Sequence, residues 1–398
     1  MAPLDADSLW LILCAALVGL LPIGLLAVEL GDSRPAGIRT APVRVGTDLV
    51  VAVLLTWLFG FSWVHGPSLA GLVGLAPGPV DLGGAGASWR ASLATWHGLG
   101  VGAAVVIAGA GGSERARPVC SLLTAALVAG VILPLTGHWL HGGRPDGIPV
   151  GWLARLGVID HGNAIAVHVA AGAAGLALTA ALGPRRGRYD GLGRPRRRPV
   201  RANAMQVIGG GLVVLGSLGL VAGGRFGWRA EVPGAILVGL LAAAAGVAGG
   251  LVARRVGRLP THPVRAGRLG AVAGLVSVSA AALLGGPAWG AATGFIGGGL
   301  AVLADHHLLH RGFDDPVGVG SAHLVGGLWA AVAAAFAVDA PGLPLRIAIQ
   351  LLGGLAVAGT AGLLTHGVLA LIDRWVPLRV TPFSEEFGSG ELTVVERG

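Results

Sequence analysis

Charge is what this sequence has least of. Only 12% of its 398 residues are Asp, Glu, Lys or Arg, against 54% apolar. That is too little charge to coat a soluble globule of this size, and with a mean hydropathy of +0.75 it leaves a polytopic membrane protein as the class. Lysine is missing altogether, since all 28 basic residues are arginine. The formal net charge of +8 does not imply nucleic acid, because the arginines fall between apolar runs and no basic groove with interleaved aromatics accompanies them. Cysteine is scarce: Cys14 and Cys120 sit in or beside apolar runs without CxxC spacing, give no sign of a disulfide framework, and read as packing residues. Enzyme motifs and cofactor fingerprints are absent as well, so neither catalysis nor a cofactor is expected.

Long apolar runs are what is present. Crossing the hydrocarbon takes about 20 apolar residues, and cutting at charged, Pro-rich and Gly-rich breaks leaves eleven runs of about that length: 8–30, 48–65, 92–111, 119–138, 163–183, 204–223, 232–252, 269–284, 289–309, 319–338 and 346–372. Asp5 and Asp7 precede the first run while Arg34, Arg39 and Arg44 follow it, the reverse of a signal peptide's charge order. The first run therefore reads as a retained span. Alternate loops carry 22 and 6 arginines, which places the N-terminus outside and the C-terminus in the cytoplasm of a cell (inner or plasma) membrane.

The spans divide into five, five and one. An odd number per repeat inverts the second copy relative to the first. The expected architecture is all-α: a membrane domain over 1–372, with repeat one at about 8–183, a cytoplasmic connector at 184–201, repeat two at about 204–338, a final helix at 346–372, and a tail at 373–398. The arginine-rich connector reads as a topology determinant. Glycines inside spans, such as Gly209 to Gly211 and Gly297 to Gly299, read as close helix packing rather than a phosphate loop.

Each repeat contains one stretch with chemistry. Asp160 and His168 are eight positions apart in an apolar run, and Asp315 and His323 repeat that interval. A polar side chain in the membrane core costs several kcal/mol unless partnered. Two facing histidines partner each other by sharing one proton, which leaves the outer nitrogens as one donor and one acceptor for a small hydrogen-bonding molecule passing in single file. A metal is a poor fit, because each carboxylate lies about two helical turns from its histidine. Asp160 and Asp315 are expected at helix starts as caps, with Asp160 also able to help a cation shed water near an entrance. His306, His307 and His310, beside Asp305, read as a wetted helix end; His65, His97 and His138, at span ends, suit either a proton path or headgroup water and receive no role.

These stretches resemble the ammonium transporter (Amt/Rh/methylammonium permease) family. The resemblance is carried by the run from Trp10 to Glu29 followed by Arg34; by Gly109 to Gly112 with Ser113-Glu114-Arg115; by Asp160 to His168; by Ala271 to Val278 with Pro287-Ala288-Trp289-Gly290-Ala291; by Asp314-Asp315-Pro316 leading to His323; and by the tail from Leu378 through Glu385-Glu386 to Gly390-Glu391-Leu392. It implies a homotrimer with one pore per subunit, His168 and His323 lining that pore, Asp314 and Asp315 as structural acids, ammonium taken up with deprotonation on the way, and a possible PII-type cytosolic regulator at the cytoplasmic loops and tail. Membrane lipid is the other implied partner, and nucleic acid is not one. The outer entrance departs from the family. Its aromatics align to Trp96 and, at the gate, Gly100; the sixth-span positions read Leu220, Val221 and Gly224; the vestibule tryptophan falls at His141, with Trp139 beside it. Trp96, Trp139, His141 and Leu220, with Asp160, are the expected entrance residues. A membrane sensor that binds ammonium without conducting it, or a channel for another small neutral gas or amine, are the alternatives.

Overall fold

The computed structural model describes residues 5–75, 78–84, 86–143, 147–196 and 202–387. Among these, nine helices are long and apolar enough to cross a membrane: α1 (Ala6–Asp32), α2 (Gly37–His65), α3 (Ala87–Ala110), α4 (Pro118–His141), α5 (Ala164–Leu182), α6 (Asn203–Gly223), α7 (Val232–Val256), α9 (Pro287–His310) and α11 (Leu343–Ile372). Two shorter helices, α8 (Pro263–Ser279) and α10 (Val319–Ala334), take the eighth and tenth places. Eleven helical segments thus follow in the order the hydropathy predicts. The only strands among the described residues are Ser68–Leu69 and Val73–Gly74, paired antiparallel.

Two helices start well before their expected spans, and the reasons are electrostatic and local. The second helix, whose first turn opens at Pro35 just ahead of the span α2, starts well before residue 48. Proline suits a first turn, and Arg44, which reads as a loop residue, enters the helix because Glu29 and Asp48 each bind its guanidinium at 2.6 Å. The eighth helix runs 263–279 rather than 269–284. Its C-terminal carbonyls are taken by the loop before α5: His161 N–H donates to Ala280 O and Gly162 N–H to Ser279 O, both at 2.9 Å. Those bonds stop the helix. At the far end of the tenth span the helix stops at Ala334, short of residue 338.

On the arginine-rich face, buried charge ties distant segments together. Asp314 receives Arg185 Nε at 2.7 Å, Arg115 Nη1 at 3.2 Å and Arg188 Nε at 3.2 Å. Burial would raise its carboxyl, but the three guanidiniums reverse that and hold it well below the ordinary carboxylate range. The tail folds back over this cluster. Val380 N–H donates to Arg115 O at 2.9 Å and Arg117 N–H to Leu378 O at 2.9 Å, while buried Glu385 accepts from Arg186 N–H at 2.7 Å, Arg379 at 2.9 Å and Arg34 at 3.3 Å. Arg144, Arg197, Arg198, Arg201 and the run Gly390 to Leu392 lie outside the described residues.

Candidate functional site

Both Asp-to-His stretches fold the same way. Each begins with a residue in the left-handed region, Asn163 at φ 61° and Gly318 at φ 88°, and continues as a π-turn, Ala164–Val169 and Val319–Leu324. Asparagine and glycine are the residues that adopt this conformation at least cost, and π-turns inside helices concentrate at functional sites. The aspartate accepts the N–H groups that such a start leaves free. Asp160 takes those of Ile165 and Ala166 at 2.9 and 2.8 Å. Asp315 takes four, from residues 318 to 321 at 2.7 to 3.1 Å, and the Ser321 hydroxyl at 3.1 Å.

The two turns bring the histidines together. His168 Nδ1 and His323 Nδ1 are 3.1 Å apart, with rings inclined by 20° and centroids 5.2 Å apart. Both side chains are buried. One Nδ1 must donate and the other accept, so if both rings are neutral one Nε2 is an acceptor and the other a donor. His168 Nε2 has no hydrogen-bond partner among the described residues.

Glycines make the approach possible. Gly172 and Gly327 lie four residues after His168 and His323, one helical turn on. A Cβ on Gly172 would meet the backbone N of Leu324 at 2.5 Å, and one on Gly327 would meet Val169 Cγ2 at 2.6 Å. The helices therefore cross with each glycine against the residue that follows the other repeat's histidine. Gly172→Ala is expected to force the crossing apart at about 1–3 kcal/mol of overpacking and to weaken the histidine bond; a lowered thermal midpoint with altered histidine ring NMR shifts checks this, and an unchanged midpoint counts against it.

The residues expected at the entrance divide. His141 Nε2 lies 3.7 Å from Asp160 Oδ2. Trp96 is buried and donates to Gly219 O at 3.0 Å, its ring edge-on to Phe226. Leu220 packs at Gly100, its Cδ2 standing 3.4 Å from where a Gly100 Cβ would be. At Gly224 the carbonyl of His161 leaves no room for a side chain. Trp139 lies apart from this group: its indole donates to Leu72 O at 2.8 Å and its ring meets Trp152.

Three histidines without a firm sequence assignment fall near this group. His138 is buried with both nitrogens bonded, to Ser68 Oγ at 2.8 Å and Val64 O at 2.9 Å, so it meets no headgroup water. His65 and His97 rings are edge-on at 5.3 Å, between Phe61 and Phe226, and neither His65 nitrogen has a hydrogen-bond partner among the described residues. Span-end position hid them, because a histidine there is usually wet. On the other side of the pair, His306 and His310 rings are 4.3 Å apart at the end of α9 while Asp305 is held by Arg265; no group of three or more His, Cys, Asp and Glu among the described residues is arranged to hold a metal ion.

The sequence profile of the Ammonium Transporter Family matches residues 9–394. A Synechocystis sp. relative is 31% identical over 395 residues, covering 96% of this chain and 72% of the relative. Ammonium transporter Amt2 of Archaeoglobus fulgidus is 30% identical, covering 84% of this chain and 72% of its own. Among solved structures, a protein titled Sensor Amt Protein superposes with a TM-score of 0.90 at 25% identity, covering 99% of both chains. Saccharomyces cerevisiae Mep2 does so at 0.81 and 20% identity, covering 98% of this chain and 91% of its own.

Proposed function

Since the chain belongs to the Ammonium Transporter Family, a family of transporters and channels rather than enzymes, we propose that it moves ammonium across the membrane by taking it in as the cation, removing a proton, and passing ammonia between His168 and His323. The observation that carries this reading is the buried 3.1 Å contact between the two Nδ1 atoms. An apolar constriction holding one polar pair rejects Na⁺ and K⁺, which keep their water there. Ammonium differs from them in having a proton to give up, and the outward nitrogens of the pair supply an acceptor and a donor for what remains.

The entrance in this proposal is built from imidazole instead of the family's aromatics. His65, His97 and His141 offer ring nitrogens to the N–H groups of ammonium, Phe61, Phe226 and Trp96 offer their faces to its charge, and Asp160, held by its backbone bonds, supports His141. Trp139 anchors the loop around Leu72. His65→Leu is then expected to raise the half-saturating ammonium concentration by about tenfold, as for loss of one hydrogen bond to a charged group, with maximal flux nearly unchanged. An equal fall in maximal flux would instead make His65 part of the conducting path.

The same reading sets the protein in the cell (inner or plasma) membrane with its N-terminus outside, as a homotrimer of separate pores in lipid. A PII-type regulator meets the arginine-rich loops and tail on the cytoplasmic side; Asp314 and Asp315 are structural.

A second reading has its own support. The 0.90 TM-score to Sensor Amt Protein, together with Leu220 packed at the gate position, favours a protein that binds ammonium and signals without conducting. An amine or gas other than ammonia fits the altered entrance too. Current and uptake of ammonium and methylammonium by proteoliposomes, beside binding to the same protein, separate these. Substrate-dependent flux is expected. Binding without flux selects the sensor, and neither binding nor flux selects another substrate.

A further inference from the structure

We propose that the arginine-rich face holds a binding site for a phosphate-bearing anion, in a cavity of about 650 Å³ between the connector, the α7–α8 turn and the end of α9. Arg196 comes to it from the connector, Arg254 and Arg258 from the end of α7, and His306 and His310 from α9. A topology signal requires arginines in these loops. It does not require separate segments to turn them into one concavity.

The acidic groups in the cavity do not answer these arginines. Asp305 is engaged by Arg265 Nε at 3.1 Å, and Asp32 by Arg185 at 3.2 Å. Asp315 gives both oxygens to the backbone of residues 318–321. Arg196, Arg254 and Arg258 have no carboxylate within ion-pair distance among the described residues. The Nε of Arg254 donates to Thr261 O at 2.6 Å, which fixes the side chain and keeps its two terminal nitrogens for a ligand.

The chemistry selects the ligand class. Planar guanidinium groups present paired donors that match phosphate oxygens, and imidazoles add further N–H groups. Thr261, His262 and Pro263 also line the cavity, so the first turn of α8 adds the positive end of its helix dipole. Several cations spread over this volume suit a ligand carrying more than one charged oxygen cluster, or a phosphate ester. A soluble polyphosphate and a phospholipid headgroup share that chemistry. The site also touches the pore segment, because Arg265 donates to Asp315 O at 2.7 Å and Pro316 O at 2.6 Å, immediately before the turn that carries His323.

Binding is the readout, so the outcome is independent of whether the pore conducts. Full-length protein in phosphatidylcholine nanodiscs is titrated with tripolyphosphate by calorimetry; in a second arm, native mass spectrometry counts retained phosphatidylglycerol against phosphatidylcholine. The comparison is native protein, the double variant Arg254→Gln/Arg258→Gln, and Arg39→Gln as a control on the same face outside this cavity. Both substituted arginines stand at a surface helix end, and an unchanged melting profile verifies that the double variant folds. Saturable binding is expected in at least one arm, weakened tenfold or more in the double variant and unchanged in the control. Tripolyphosphate binding identifies a soluble source; selective retention of phosphatidylglycerol identifies lipid. Absence of saturable binding in both arms overturns the proposal, as does equal affinity in native and double variant or an equal loss in Arg39→Gln, which would reduce it to general surface charge.

Discussion

Replacing either His168 or His323 with alanine is expected to lower ammonium-elicited current and uptake in proteoliposomes by about ten- to a hundredfold. Each ring satisfies the other's Nδ1 at 3.1 Å. Truncating one leaves its partner buried with a polar atom unpaired, a penalty of about 1–3 kcal/mol, and every 1.4 kcal/mol of barrier is about tenfold in rate. The acceptor and donor offered to the passing molecule also depend on the pair, so losing one ring removes the polarity of both ends. The double variant should therefore be little worse than either single one, which is the signature of residues acting as a unit. Any residual flux should carry a different charge per molecule. Variants that assemble normally and transport at the native rate would sink the conduction reading.

Asp314→Asn is expected to destabilise the protein by about 3–5 kcal/mol, the cost of breaking a buried ion cluster from one side. It leaves Arg185, Arg115 and Arg188 facing a neutral amide, and burial already pushes the Arg115 guanidinium down to about 10. The pH dependence follows from the depressed carboxyl of Asp314. A carboxyl lower in the folded than in the unfolded state contributes stability that is complete above the unfolded value, near 4, and is lost as pH falls through the folded one. The gap in thermal midpoint between native and variant should stay constant from about pH 8 to about pH 5 and close only below about pH 4. A gap that closes already near pH 6 would show that the carboxyl is not depressed.

The sequence reveals much of this architecture because membrane burial leaves simple traces. Apolar length and arginine placement locate eleven segments, and the matched Asp-to-His intervals single out the two histidines that meet. What hydropathy misses is charge neutralised within the fold. Arg44 reads as a loop residue since, beyond Asp48 one turn on, its partner Glu29 becomes visible only when α1 and α2 pack. The start of α8 is hidden in the same way, and its end is set by N–H groups from residues 161 and 162, which no local pattern announces. Gly172 and Gly327 look like any other packing glycine until the crossing shows what each faces. His65 and His97 sit where histidines normally meet water, and only Phe61 and Phe226 closing over them reveal otherwise.

The docked tail bears on how the protein is made. Arg34, Glu114 and Arg185 leave the ribosome long before Asp314 and Glu385, the acids that complete their cluster. Until the last span has been inserted and the tail has folded back, the early arginines must stay hydrated, and the arginine-rich end of the first repeat stays open. Assembly therefore has a late checkpoint: a chain released just before residue 385 has all eleven spans yet lacks the carboxylate that ties Arg34 and Arg379 together, and it offers quality-control proteases an unsealed arginine-rich face.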